Sequence, residues 1–427
     1  MKKILKNIFK NKFNRNVIMI TGGTAISQII TIIISPLITR LYLPTDYGVL
    51  TVYSSILGMI SLIGALSYDS AIPIAEDDDK AINILVLSIS IIIFSTFLIC
   101  FILSLYGEDI LKLLDSSIVL KYKYYIPIGL FITGIYNVLT NWALRKKDFK
   151  AITKTKLSQS IFGNFTKILW GIISYGPVGL ILGTVIGQGA GITTLIKSIF
   201  KFDKNIFKSV RLRELLWCIR RYKNFPIYSA PTIFLLSFSS QIPVIFMSSL
   251  YGAARAGFYG LALNITFLPM TFIGKSVQDV FYGEVANMGK ERASEIKELS
   301  NKLLKKLLLL GIIPMIILFL FGPKLFSIIF GSEWKEAGIY SSLLVPFAFS
   351  YFIFHPISVV FSIFERQKNF FVLNIIKLIA VLITFFISKI LGLSSYTTIL
   401  IFSIFMSIIE AFKYIFAQKI MEDKRNN

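Results

Sequence analysis

The chain has 427 residues, 55% hydrophobic and 16% charged, with a mean hydropathy of +0.72. Soluble chains average about 45–50% apolar and about 25% charged, so an ordinary soluble enzyme is excluded. The net charge of +22 would suggest nucleic acid in a soluble protein, but its placement in short loops between apolar runs argues for no nucleic-acid partner. The two cysteines, Cys100 and Cys218, give neither a disulfide framework nor a metal-ligand spacing, so no metal or cofactor is expected.

In chain order, the basic start MKKILKNIFKNKFNR places Ile4, Leu5, Ile8, Phe9 and Phe13 on one helical face, as in a short helix lying on an anionic inner leaflet. The apolar run behind it reaches about Leu41, too long for a signal peptide, and no cleavage pattern follows, so the N-terminus is expected to stay attached. Apolar windows predict spans near 17–42, 48–72, 81–106, 122–143, 157–175 and 177–199. A second set lies near 226–250, 256–281, 307–330, 339–364, 370–391 and 396–418. The expectation is an all-α integral membrane protein with about twelve transmembrane helices.

With both termini cytoplasmic, 33 Lys and Arg fall in inner segments and 8 in outer ones, which obeys the positive-inside rule. The acidic run Glu76 to Asp79 then lies in an inner loop, as a solvated helix cap. Between the sixth and seventh spans, residues 201–225 space Ile206, Phe207, Val210, Leu215 and Ile219 like a basic amphipathic helix in the inner interface. The predicted division is an N-terminal lobe, 1–203, a basic linker, 204–224, and a C-terminal lobe, 225–427. A weak internal repeat supports it: Gly48 and Gly257 follow spans one and seven, and RKKDF at 145–149 is echoed by RQKNF at 366–370. Six spans per repeat give both lobes the same orientation, able to rock about a central cavity.

Polar residues form stripes within spans. Thr21, Thr24, Gln28, Thr31 and Ser35 share a face of span one; Ser160, Asn164, Lys167, Gly171 and Ser174 share one of span five; and Asn374, Lys377, Thr384 and Ser388 nearly do so in span eleven. Small and hydroxyl residues also pack helices together, so a stripe alone does not make a site. Lys167 and Lys377 are more specific. Each lies about 8 to 10 residues from a helix end, beyond easy snorkelling, and a lipid-facing lysine there costs about 2.5–3.5 kcal/mol, which favours an anion-holding cavity.

Arg40, Arg255 and Lys275 are further anion candidates, each also readable as an interfacial residue, and Thr24, Gln28, Thr31, Asn164 and Asn374 are the expected polar cavity face. Asp69 and Glu410 are candidates for ion coupling or structural pairs, Glu410 with Lys413 at i,i+3 spacing. His355, the only histidine, has no carboxylate near it in sequence and reads as a packed side chain. No span carries a mid-depth carboxylate free to hold a cation, and no catalytic constellation is present.

The segments SPLITRLYLPTDYGVLTVYSSI (35–56), YDSAIPIA (68–75), AARAGFYGLALNI (253–265) and FERQKNFFVLNI (364–375) resemble the polysaccharide transporter or O-antigen flippase family (Wzx-type) of the multidrug/oligosaccharidyl-lipid/polysaccharide exporter (MOP) superfamily. The resemblance extends over nearly the whole chain, and Arg40 and Asp69 fall within its segments. It implies a MATE-like fold of two six-helix lobes around a V-shaped cavity, moving a polyprenyl-diphosphate-linked oligosaccharide across a bacterial cytoplasmic membrane. The implied partners are that substrate, membrane lipids, and the polymerase and chain-length machinery of a glycan pathway for O-antigen lipopolysaccharide, capsule or a related polymer. Two rivals remain open: a MATE-like drug or cation antiporter, which would want a buried acid, and a membrane glycosyltransferase or polymerase, which would want a large loop or domain.

Overall fold

The computed structural model describes residues 12–113, 117–173, 176–202 and 206–426, and the expected N-terminal interfacial face at Ile4 to Phe9 lies outside them. The described residues are helical with turns between, without strands. In chain order the helices are α1 (Lys12–Leu41), α2 (Pro44–Ser61), α3 (Asp78–Leu113), α4 (Tyr125–Arg145), α5 (Phe149–Ile172), α6 (Pro177–Gly189), α7 (Ile192–Phe202) and α8 (Leu212–Arg221). They continue as α9 (Ala230–Tyr251), α10 (Ala253–Thr266), α11 (Lys275–Met288), α12 (Ala293–Phe330), α13 (Lys335–Phe354), α14 (Val360–Ile363), α15 (Gln367–Ile390) and α16 (Ser395–Asn426).

Among the described residues, eight helical stretches are long and apolar enough to cross a membrane, or nine if the bent pair Ala253–Thr266 and Met270–Met288 is one span. The other three expected spans correspond to α2, α4 and α5, which form as helices without meeting that measure. Span two stops at Ser61, and residues 62–67 turn through left-handed Leu66 (φ 50°) and Ser67 (φ 61°) before a 3-10 turn, Tyr68–Ile74. In α5 the polar stripe itself lowers the mean hydropathy. Pro36 cannot donate to the Ile32 carbonyl within α1, and Ser35 Oγ donates to that oxygen instead at 2.8 Å.

Two compact units divide the chain, Met1–Ile245 and Phe246–Asn427. In the first, α1 packs along α5 and α5 along α6. Glycines permit the second approach: a Cβ on Gly187 would lie 3.0 Å from the Gly163 Cα, and one on Gly163 would lie 3.0 Å from the Gly183 carbonyl oxygen. A hydrophobic core near the α4–α5 turn joins Tyr68, Ile72, Ile82, Trp142, Ile152, Leu195 and Ile199 to Ile206, Cys218 and Tyr222.

The linker thus docks one face on the protein. Lys80 pairs with Glu214, Asn83 Nδ2 donates to the Ser209 carbonyl at 3.0 Å, and the Arg211 N–H donates to Asn83 Oδ1 at 3.2 Å. Leu212, Leu216 and Ile219 remain exposed on the other side. The acidic run is not simply solvated either, because Asp78 pairs with Arg145 (2.9 Å) and Lys146.

One turn occurs in both units. After α4, the N–H groups of Lys146, Lys147 and Asp148 donate to the carbonyls of Trp142, Leu144 and Ala143, with Lys147 left-handed (φ 55°). Before α15, those of Phe364, Glu365 and Arg366 donate to Val360, Ser362 and Phe361, with Glu365 left-handed (φ 56°). Every corresponding position is 218 residues apart, and the helices that follow, α5 and α15, are both 24 residues long. The turn geometry therefore shifts the repeat register by three residues from the 221 suggested by aligning Arg145 with Arg366.

Candidate functional site

The polar stripe of α5 faces that of α1 because both repeat at three- and four-residue intervals, and the crevice between them and α6 opens into a cavity of about 330 Å3. It contains Thr24, Gln28 and Thr31 from α1, Asn164 and Lys167 from α5, and Thr184 and Gln188 from α6. Five of the residues expected from sequence are thereby brought together.

Their roles differ. Ser160 Oγ donates to the Ser27 carbonyl at 2.8 Å and lies 3.1 Å from Thr31 Oγ1, while Asn164 Nδ2 donates to Thr31 Oγ1 at 3.2 Å and to the Ser160 carbonyl at 2.8 Å. These groups stitch α1 to α5, the packing role that hydroxyl stripes commonly serve. Lys167, by contrast, is half-buried in the cavity wall, its stem lying where a Gly183 side chain would be. Tyr42 Oη donates to the Lys167 carbonyl at 2.7 Å and fixes the backbone at the end of α1 against that turn of α5.

The helices that line the cavity contain no acidic residue anywhere in residues 1–45, 149–173 or 177–202. An ammonium in such a cavity lacks an internal counter-ion on these helices and attracts anions. Sequence reasoning missed Lys156, Gln159 and Gln188, which also line the cavity. Lys156 shares the face of Ser160, Asn164 and Lys167 at helical spacing, a signal visible had the stripe been extended one turn toward Phe149.

The remaining candidates are elsewhere. Arg40 is exposed; Lys275 is exposed and pairs with Asp279 at 3.2 Å; and Arg255 pairs with Glu336 and donates to Tyr396 Oη at 3.0 Å. Asp69 accepts from Asn141 Nδ2 at 3.0 Å. In the second unit, Lys377 Nζ lies 5.8 Å from the Phe347 ring centroid. Asn374 does not present a free amide: its Nδ2 donates to the Phe370 carbonyl at 2.9 Å, and its Oδ1 accepts from Lys413 Nζ at 3.3 Å.

Lys413 also pairs with Glu410 at 3.1 Å, and the two side chains are 5% and 2% exposed. A buried carboxylate therefore exists, about 22 Å along α16 from Ser395, but it is already engaged. His355 is stacked on Tyr351 at 4.2 Å, as a packed side chain would be, yet it is not remote from charge, since Glu410, Lys413 and Lys377 act on it electrostatically.

Comparison with known proteins bears on the fold and the family. Searched against curated proteins, the chain finds no match. Among solved structures, a lipid II flippase MurJ in an inward closed conformation superposes with a TM-score of 0.72 at 17% identity, covering 94% of this chain and 87% of that one. An inward-facing multidrug resistance MATE family transporter of the MOP superfamily gives 0.68 at 14% identity, covering 95% and 96%. A MOP superfamily transporter from Pyrococcus furiosus, described as having a binding pocket of reversed polarity, gives 0.61 at 14% identity, covering 96% and 95%. The fold is accordingly that of MOP superfamily transporters. The family described as polysaccharide biosynthesis protein matches residues 37–339, and the chain belongs to that family.

Proposed function

We propose that the chain is a transporter rather than an enzyme: a flippase that carries a polyprenyl-diphosphate-linked oligosaccharide repeat unit from the inner to the outer leaflet of a bacterial cytoplasmic membrane. Two lobes, 1–203 and 225–427, joined by the basic segment 204–224, alternate access to the two sides. The observation that carries this reading is the polar cavity on acid-free helices with Lys167 in its wall, in a member of a polysaccharide biosynthesis family. A diphosphate entering it leaves water and meets an ammonium; at an effective dielectric near 20 and a separation of about 4 Å the attraction is about 4 kcal/mol. Within the second unit, Lys377 is a further anion candidate, its ammonium 5.8 Å from the Phe347 ring centroid. A drug or cation antiporter would need a carboxylate at its cavity; the helices lining this one contain none, and Glu410 in the second unit is taken by Lys413.

Deleting the chain should leave lipid-linked oligosaccharide on the inner leaflet and abolish surface polymer while glycosyl transfer continues. Lys167→Gln and Lys377→Gln should each cut surface polymer about tenfold or more at matched membrane levels, with Lys→Arg retaining more, as expected when a partly desolvated charge pair is lost. Full polymer from Lys167→Glu and Lys377→Glu would rule these residues out as the anion site. Restoration of lost transferase activity by the purified protein alone would establish an enzyme instead.

A further inference from the structure

The cavity in the first unit holds two lysines whose stems are set wider apart than the two adjoining phosphates of one diphosphate. Lys156 and Lys167 both line it, 11 residues apart on one face of α5, or about 16 Å along the axis. Neither has an acid on α1, α5 or α6 to pair with, because those helices contain none. Lys156 begins about 10 Å from the Phe149 end of α5, near enough for an unconstrained lysine to reach lipid phosphates. Its ammonium instead lies 5.0 Å from the ring centroid of Tyr136, a residue only 5% exposed, whose hydroxyl is 3.1 Å from Thr155 Oγ1. The charge is thus held inward, over a buried ring.

Between the two lysines the wall offers amides and hydroxyls. Gln159 Nε2 is spent on the Gln188 carbonyl at 3.1 Å and Gln188 Oε1 on Thr133, so the groups left facing the space include the Gln28 amide and the Thr24 hydroxyl. A neutral, hydrogen-bonding stretch bounded by two cations matches a sugar bounded by two anions.

We infer that Lys156 is a second anion subsite, and that the transported glycan is acidic: a carboxylate or phosphate substituent on its first sugars rests at Lys156 while the diphosphate rests at Lys167. This rests on the flippase reading. It adds that the cargo has a negative charge of its own, and that a repeat unit with neutral sugars leaves Lys156 unsatisfied. Binding here forms no covalent bond, and selectivity arises because a neutral sugar displaces water from the ammonium and leaves it only the Tyr136 ring, with no opposite charge.

The test uses the strain that encodes the chain. The polymer lost on deletion is hydrolysed and assayed for uronic acids, phosphate and other acidic substituents, with at least one per repeat unit expected. In the same strain, Lys156→Gln and Lys156→Met at matched membrane levels should lower surface polymer about tenfold while Lys156→Arg keeps most of it, the pattern of a lost buried charge contact. A neutral polymer overturns the inference and leaves the flippase reading standing, and this arm needs no variant to fold. An acidic polymer exported normally by Lys156→Gln also overturns it, leaving Lys156 a packing contact of the Tyr136 ring. If deletion leaves all surface polymer in place, the flippase reading and this inference fall together.

Discussion

At the scale of single residues, the lysine-bearing wall depends on a position with no side chain. A Cβ at Gly183 would come 2.4 Å from Lys167 Cγ, 2.8 Å from the Gly163 carbonyl oxygen and 3.0 Å from the Lys167 nitrogen, and two of these neighbours are backbone that cannot swing away. Gly183→Ala should therefore displace the Lys167 stem and part α5 from α6, at a cost of about 1–3 kcal/mol. A lower melting temperature in detergent together with reduced surface polymer is expected; unchanged values for both would show that the helices separate without penalty. Lys167, Gln28 and Thr24 were legible in the sequence because depth and helical spacing are both readable there. Gln188 was not, since α6 reads as an almost continuous apolar and glycine run, VGLILGTVIGQG, without a stripe. Nor could spacing reveal that Asn374 and Arg255 are occupied by Lys413 and Glu336, partners 39 and 81 residues away.

Among elements, Asp148 shows how a turn fixes two helices at once. It caps α5, accepting from the Ala151 N–H at 3.3 Å, and reaches α7 through Ser198 Oγ at 2.8 Å and Lys201 Nζ at 3.4 Å. Burial pushes its carboxyl up, but the hydrogen bonds from Ser198 and Ala151 and the Lys201 charge outweigh burial and hold it below the ordinary value. A carboxyl lowered on folding contributes stability that is present above its unfolded value, about 3.9, and lost as pH falls through the folded value. Asp148→Asn should thus cost about 1–3 kcal/mol at neutral pH, with the gap from the parent chain closing below about pH 4. Thermal unfolding across that range checks it, and a gap that is constant down to acid pH would sink the argument. The linker teaches a related lesson. Its amphipathic period was legible, but a period does not say which apolar residues meet protein: Cys218 and Ile206 are buried while Leu212 and Leu216, equally apolar, are exposed.

For the whole molecule, the apolar windows located every helix among the described residues that is long and apolar enough to cross, because about 20 apolar residues admit few other solutions. They did less well where a polar stripe or a broken helix lowers the average, as in α5 and after Ser61. The 33 to 8 charge split yields the topological prediction: residues 201–225 face the cytoplasm and Thr45 to Tyr47 the outside. In intact spheroplasts, a membrane-impermeant thiol reagent should label a cysteine placed at Asp46 and not one at Asp203. The opposite pattern would invert the orientation.

The turn shared by the two units says something about descent. A register of 218 residues pairs Lys167 with Phe385, which is 1% exposed and stacked on Phe246 at 5.0 Å, and pairs Lys377 with Gln159 in the wall of the first unit's cavity. The two deep lysines are therefore not copies of one ancestral residue. If the chain arose by duplication, the halves kept their turns and helix lengths while their chemistry diverged, so that where one half has an ammonium the other has a buried ring or an amide. Such a chain has different charges at corresponding positions of its two halves.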